Sequence, residues 1–406
     1  MDDFGEKPRL RGLLDHFAVI EDPREPWRVA HPLPEVLLLV VCASIASCDD
    51  FDDIAAWGET HLDFLRRFLP YHHGVPGARW LNILLNRIDP DLFSDCFMAW
   101  AATLRSDAPD LIAIDGKTSR RSHDRSAGRQ ALHLLSAFAT REKLVLGQEA
   151  VAETSNEITA IPELLDRLAA SGQLAGALVT IDAIACNPEI AKAITGHEAD
   201  YLLAVKTNQP SLHAEIERFF ADAPVDTVDL HRDTDKGHGR IEERICRVSR
   251  QVDWLHGDRR FPGEYRFARI TTIAMIEATV EITAKPPKPD KPRDVATTED
   301  AEAPGRTRTE RRYYVSSRAL SAEQVADAVR AHWRIENSLH WVLDVTFRDD
   351  LARVRKGHGA RNMAVVRHFA INIVRTATDK LSLKTRRKRA GWDPNYLKAL
   401  IAPSPR

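Results

Sequence analysis

The chain has 406 residues, 44% of them apolar and 29% charged, with a formal net charge of −2 at pH 7, which is the composition of a soluble globular protein large enough for two or three domains. A near-neutral total excludes bulk positive charge as the means of holding a polyanion, so a nucleic-acid surface has to come from uneven placement. Cys42, Cys48, Cys96, Cys186 and Cys246 form no CxxC pair and leave one over, which excludes a disulfide framework and a zinc ribbon and fits a reducing cytoplasm.

The first twelve residues hold no apolar segment, so no secretory signal is expected. Residues 10 to 105 read as helical throughout: Leu13, Leu14 and Phe17 begin an apolar period near 3.6, and Ile54, Trp57, Leu65 and Phe68 continue it. Val36 to Cys48 is the longest apolar run; it falls short of the ~20 residues a bilayer requires and predicts a buried helix. This stretch is acid-rich, notably at Asp49, Asp50, Asp52 and Asp53, and it reads as an all-α packing or accessory module.

The pattern changes at Asp110. Leu111 to Ile114, Leu132 to Phe138 and Lys143 to Ala150 are strand-like runs at hairpin spacing, which predicts an antiparallel meander. Helix Ile158 to Ala170, strand Ala177 to Ile181, helix Asn187 to Thr195, strand Tyr201 to Val205 and helix Ser211 to Phe220 follow. Hairpin strands and then alternating helix and strand indicate a mixed α/β sheet. Residues 223 to 311 interrupt the alternation with strand-like Arg244 to Val248 and Arg266 to Ile282, then with Lys285 to Arg308, a Pro-rich and charged segment that reads as an exposed linker. The whole interval is taken as a β-rich insertion. Arg312 to Ser317 reads as a strand that resumes the sheet, and Ser321 with Gln324 forms a capping box for a long helix running to Asp350. Residues 381 to 406 are left as a basic tail.

That helix packs His332, Glu336, His340 and Asp344 one turn apart among Trp333, Leu339, Val342 and Leu343, so it is expected to be mostly buried with four polar groups on one face. Three readings of Glu336 stand side by side: a paired core carboxylate, a zinc ligand with His332 and His340, and one member of an oxygen-only magnesium site. The remainder of the chain bears on the third. Asp115 and Asp182 each end a strand-like run, so two strand aspartates and a helical glutamate can converge. Hard oxygen donors suit Mg2+ or Mn2+, and two such ions ~3.5 to 4 Å apart activate the attacking oxygen and stabilise the leaving one in phosphodiester displacement.

IAIDGKT (Ile112 to Thr118), TIDAIACNPEIA (Thr180 to Ala191), YLLAVKTNQPSL (Tyr201 to Leu212), KGHGRIEER (Lys236 to Arg244), RRYYVSS (Arg311 to Ser317) and HWRIENSLHWVLDVTFRDD (His332 to Asp350) resemble the blocks of bacterial insertion-sequence transposases of the DDE type, in the branch typified by H-repeat-associated proteins. The resemblance covers nearly the whole chain. It implies a ribonuclease-H-like mixed sheet with helices, an N-terminal helical module (1 to 105), a core split into 106 to 222 and 312 to 380, and the insertion between them. It further implies a catalytic and metal-binding triad of Asp115, Asp182 and Glu336 with Mg2+ or Mn2+, two ions in number. The reaction implied is cleavage at the ends of an insertion sequence followed by strand transfer into target DNA. The alternatives are an inactive DNA-binding remnant and a stand-alone nuclease of the same fold.

The partners implied are DNA, as terminal inverted repeats and target, and a second copy in a homodimer; no membrane is involved. The location implied is the cytoplasm, nucleoid-associated when DNA is bound. The wider superfamily places an Arg four residues before the catalytic Glu and a Lys seven after it, and His332 and Leu343 stand there here. The phosphate contacts are accordingly assigned to Lys117, Lys206, Arg330, His332, Arg334, Asn337 and Arg355, and to the run Arg386, Arg387, Lys388 and Arg389. The excess of Lys and Arg over acids beyond residue 350 supports that assignment, with a solvated tail as the competing reading. His238, in the KGHGR turn, reads equally as a DNA contact or a plain turn residue.

Overall fold

The structure, a computed structural model, describes residues 8–106, 110–124, 128–152, 155–183, 186–224, 227–237, 240–257, 266–282 and 307–402. His238 and all but the last two residues of the expected linker, 285–308, lie outside them. Two compact units result, one from Met1–Ala177 with Ala331–Arg406, the other from Leu178–Arg330.

The first unit begins with α1 (Pro8–Val19), α2 (Leu33–Ile45), α3 (Phe51–Thr60), α4 (Leu62–Leu65), α5 (Ala78–Leu85) and α6 (Pro90–Ala102). Asp50 and Asp89 cap α3 and α6, their carboxylates accepting from the backbone N–H of Asp53 at 2.8 Å and of Asp91 at 2.8 Å, each cap worth ~1 kcal/mol. Antiparallel strands β1 (Leu111–Thr118), β2 (His133–Ala139) and β3 (Leu144–Ala150) follow, with α7 (Glu157–Ala170) packed on β2 and β3. β1 runs past its apolar residues through Asp115, Gly116 and Lys117 because its backbone stays paired there with Ser136, Leu135 and Leu134 of β2.

The second unit holds β4 (Leu178–Ile181), α8 (Pro188–Gly196), β5 (Asp200–Val205), α9 (Pro210–Asp222), β6 (Asp229–Gly237), β7 (Arg240–Ser249), β8 (Thr272–Ile282) and β9 (Thr307–Ser316). β4 and β5 are parallel; β5 then pairs antiparallel with β9, which leads outward through β8 and β7 to β6. The inserted strands therefore extend the sheet from β5 rather than forming a separate layer. Three antiparallel strands, a helix and two parallel strands joined by a helix give the chain order of a ribonuclease-H-like mixed α/β fold. Helix α10 (Ala322–His332) opens on the expected capping box: Ser321 N–H donates to Gln324 Oε1 at 2.9 Å and Gln324 N–H to Ser321 Oγ at 3.2 Å.

The chain then returns to the first unit as two π-helical turns, Glu336–His340 and Val342–Thr346, followed by α11 (Gly359–Arg375), α12 (Leu383–Trp392) and α13 (Pro394–Ile401). α11 is buried on nearly every face and packs on α2, α6 and β3. Phe369 is the hub, its ring 4.9 Å from Phe97, 4.8 Å from Trp100 and 5.4 Å from Phe17. Asn372 fastens α11 to the sheet edge by accepting from Val145 N–H at 2.9 Å and donating to its carbonyl at 2.8 Å. The N-terminal helices thus share one core with α11 instead of standing apart. Residues 381–402 of the basic segment are no loose tail: α12 lies so close to the end of α2 that a Cβ on Gly391 would meet the Ala46 carbonyl oxygen at 2.8 Å.

Candidate metal centre

β1 sets the first side chain of the site. Asp115 lies opposite Ser136 in the β1/β2 register, its Oδ1 accepts from Gly116 N–H at 2.9 Å, and Lys117, two residues on, shares its face. A Cβ at Gly116 would meet Glu157 Oε1 and His133 Nε2, which pair across it at 2.7 Å, so a side chain there would have to displace that pair. The second element is the π-helical stretch, where the N–H of Trp341 donates to the Glu336 carbonyl and that of Phe347 to the Val342 carbonyl at 3.1 Å. Such wide turns recur at functional positions. Arg375 donates to the Ser338 carbonyl inside the first of them.

These elements bring three groups together. His340 Nδ1 stands 3.5 Å from Asp115 Oδ2 and 3.6 Å from Glu336 Oε2, and the three ligand atoms lie within 4.8 Å of one another. The His340 side chain is 7% exposed, Asp115 22% and Glu336 52%, so the group has a buried imidazole at its base and an open carboxylate at its mouth. Burial holds His340 below its ordinary pKa, against the opposing pull of Glu336, while Lys117 pushes the same way as burial. Two expectations are corrected here. Glu336 is half exposed rather than buried, and the zinc set fails because His332 is not part of the group among the described residues. His332 is buried with its ring 5.5 Å from Trp333.

Asp344, expected on the same face, belongs to a second cluster with Asp349 and Asp350. Lys117 Nζ sits 2.5 Å from Asp344, 3.5 Å from Asp350 and 4.0 Å from Asp349. Arg367 donates to Asp349 at 2.7 Å, as does Ser119 Oγ, and Arg120 reaches Asp350 at 3.4 Å. The unit's own cations compensate these carboxylates, and Lys117, 11% exposed, is a strut between β1 and the end of the π-helical segment rather than the open phosphate contact expected of it.

Beneath this cluster His368 is fully buried and pushed down by burial to about 3 from 6.5, with Asp349 opposing and Arg367, His340 and Arg375 adding to the depression. Below pH 6.5 the unfolded chain therefore takes up a proton that the folded chain refuses. Stability should fall from about pH 6.5 toward pH 3, by up to about 1.4 kcal/mol per pH unit from this one group. Urea unfolding at pH 7 and pH 5 checks this: His368→Phe should lose less stability between the two pH values than the parent, and equal losses would remove His368 as a source of acid sensitivity.

In the second unit Asp182 follows the last residue of β4, with its Oδ1 accepting from Ala183 N–H at 2.6 Å and standing 3.7 Å from Lys206 Nζ. Both side chains are open, 44% and 60% exposed, at the C-terminal ends of two parallel strands, where α/β sheets place their sites. The loop after Asp182 is held by groups the sequence reading did not single out. Asn208 donates to the Ala183 carbonyl at 2.7 Å and Gln209 to the Cys186 carbonyl at 3.0 Å. Their signal is the polar TNQP directly after a strand. Asn187 caps α8 by accepting from Glu189 N–H at 2.8 Å.

The remaining basic candidates divide. Arg334, Asn337, Lys388 and Arg389 are exposed, Arg389 lying over the Tyr396 ring at 4.4 Å. Arg330 pairs with Asp233, and Arg355 donates to the Arg121 carbonyl at 3.1 Å. Arg386 is engaged with Asp379 at 2.8 Å and the Val374 carbonyl at 3.0 Å. Arg387 is 2% exposed and is the largest of the fully buried side chains among the described residues. The expectation that Arg386 and Arg387 face DNA is corrected, since both guanidiniums are already satisfied inside the unit.

The chain belongs to the DDE transposases: residues 106–373 match the family described as Transposase DDE domain, and residues 14–101 match the family described as DDE_Tnp_1-associated. Members of this class generally use divalent metal ions. Over 97% of its length the chain is 37% identical to the protein named "H repeat-associated putative transposase YhhI" of Escherichia coli strain K12, covering 99% of that protein. It is 36% identical to YbfL of the same strain, again over 97% of this chain and 99% of the other. Among solved structures, a piggyBac transposase synaptic complex with hairpin DNA aligns over 97% of this chain and 78% of that one, at a TM-score of 0.39 and 11% identity. Among the described residues no helix is long and apolar enough to cross a membrane.

Proposed function

We propose that the chain is a metal-dependent DNA transposase that cuts at the ends of an insertion sequence and joins the freed 3′ ends to target DNA, with Asp115, Asp182 and Glu336 as its metal-binding carboxylates. The observation that carries this reading is the approach of Asp115 and Glu336 to one buried imidazole in a chain of the DDE family. The donor chemistry fits a divalent cation: carboxylate oxygens stand 3.5 and 3.6 Å from His340 Nδ1, farther than charge-assisted hydrogen bonds of ~2.7 to 2.9 Å. When bound, Mg2+ or Mn2+, proposed as two ions, would supply an activated attacking oxygen and charge relief at the leaving one.

The protein side of the mechanism is positioning. The Lys117 cluster fixes the end of the segment carrying Glu336 onto β1, so the two carboxylates are held by packed elements and not by a loop. Lys206, open and beside Asp182, offers positive charge to a phosphodiester without closing the site. The partners proposed are the element's inverted repeats, target DNA and a second copy in the end-bound complex; sedimentation of that complex at twice the monomer's protein mass checks the last. The place proposed is the bacterial cytoplasm, on the nucleoid.

Incubating the full chain with a duplex bearing the element's ends and a plasmid target in Mg2+ should give end cleavage and a joined product. Cleavage without joining would make the protein a nuclease, and binding without cleavage a remnant. Phosphate contacts are assigned to exposed cations, Lys384, Lys388 and Arg389 among them. Each phosphate neutralised contributes a slope of ~0.9 in log affinity against log salt, so alanine at these three should weaken binding to all duplexes alike and flatten the salt dependence. An unchanged slope in a salt titration would move the phosphate contacts to Lys206, Arg334 and Arg355.

A further inference from the structure

We propose that His340 Nδ1 is a direct ligand of the cation held by Asp115 and Glu336, so that the site is a mixed nitrogen and oxygen centre that takes Mn2+ over Mg2+. The inference rests on the metal reading above and goes beyond a triad of carboxylates.

The spacing is the first argument. Ligand atoms bonded at ~2.0 to 2.2 Å to one cation stand about 3 Å or slightly more apart, and Nδ1 is 3.5 and 3.6 Å from the two carboxylate oxygens. The second is the setting of the ring. His340 lies in the π turn that begins at Glu336 and is more than nine-tenths buried, with Nδ1 directed toward both carboxylates and Nε2 without a hydrogen-bond partner. Its ring makes its polar approach through the nitrogen that faces the carboxylates.

The neighbouring carboxylate cluster differs in its partners. Asp344, Asp349 and Asp350 also gather within ligand distance, yet Lys117 and Arg367 compensate them, and among the described residues no imidazole is grouped with them. His340 is the one histidine grouped with Asp115 and Glu336 among the described residues. Mg2+ prefers oxygen donors, whereas transition cations accept imidazole, so a nitrogen here selects between them.

The test loads the full chain with Mn2+ and reads electron spin echo modulation from ligand nitrogen. Bound Mn2+ should show nitrogen modulation that changes when histidine is 15N-labelled, that vanishes in His340→Asn and that persists in Asp344→Asn. His340→Asn should also bind Mn2+ on the order of tenfold more weakly, with a smaller loss for Mg2+. Should His340→Asn fail to fold, His340→Gln is read in its place, and a labelled parent without nitrogen modulation still overturns the assignment. Mn2+ binding that Asp115→Asn abolishes, without nitrogen modulation in the parent, overturns the ligand assignment and leaves the metal reading standing. Mn2+ binding indifferent to Asp115→Asn, or absent, removes the metal reading and the inference with it.

Discussion

Asp115→Asn, Asp182→Asn and Glu336→Gln are each expected to lower end cleavage in Mg2+ by about a thousandfold or more, with duplex affinity nearly unchanged. Each swap keeps the shape of the side chain and removes the charge a cation requires, while binding rests on cations elsewhere. Folding should tolerate the changes, because Glu336 and Asp182 are half open and Asp115 keeps an amide oxygen able to accept from Gly116 N–H. Gel assays of cleavage beside filter binding on the same preparations separate the two effects. Cleavage retained after any one change takes that residue out of the set. His332→Asn is the control against the zinc reading: it should spare cleavage, since His332 is not grouped with Glu336.

The sequence made some of this legible and hid the rest for identifiable reasons. β2, β3, α7, α9 and the Ser321 cap were readable because each carries its own local signature, an alternation or a capping pair. β6 was not, because Asp229–Gly237 reads DLHRDTDKG and takes its strand conformation from backbone pairing with β7, which leaves no mark in the side chains. The π turns were equally invisible: HWRIENSLHWVLD satisfies a 3.6 period, and one added residue per hydrogen-bonded ring leaves that pattern nearly intact. Glu336 nonetheless stands half open, and Asp344 groups with Asp349 and Asp350. Asp115 was found as the acid ending an apolar run, but its approach to His340 is a contact between β1 and a helix far along the chain, and no local pattern encodes it. Lys117 shows the same limit. A lysine after a strand reads as a solvated or phosphate-binding group until the three carboxylates it joins are seen together.

Arg387→Ala is expected to unfold the first unit far more readily while Lys388→Ala leaves it unchanged. Within the run RRKR, helix α12 turns one arginine inward. Arg387 Nε and Nη2 donate to the Ser44 carbonyl at 3.1 and 2.8 Å, Nη2 also reaches Asp49 at 2.7 Å, Nη1 donates to the Thr346 carbonyl, and the guanidinium lies over the Phe347 ring at 3.8 Å. One side chain thereby ties α12 to the end of α2 and to the end of the π-helical segment that carries Glu336. Burial pulls its pKa down and Asp49, one-fifth exposed, opposes that, so a buried guanidinium is held with its donors filled. Removing it costs ~3 to 5 kcal/mol, because Asp49 and two carbonyls lose their donor at once. Against a typical total of about 5 to 15 kcal/mol, that is a large share, and it should lower the unfolding midpoint by roughly 10 °C in a domain of this size. Arg387→Lys keeps the charge without the fork and should fall between the two. A midpoint for Arg387→Ala within a degree of the parent would mean that the staple carries nothing, and would return Arg387 to the cations that hold DNA.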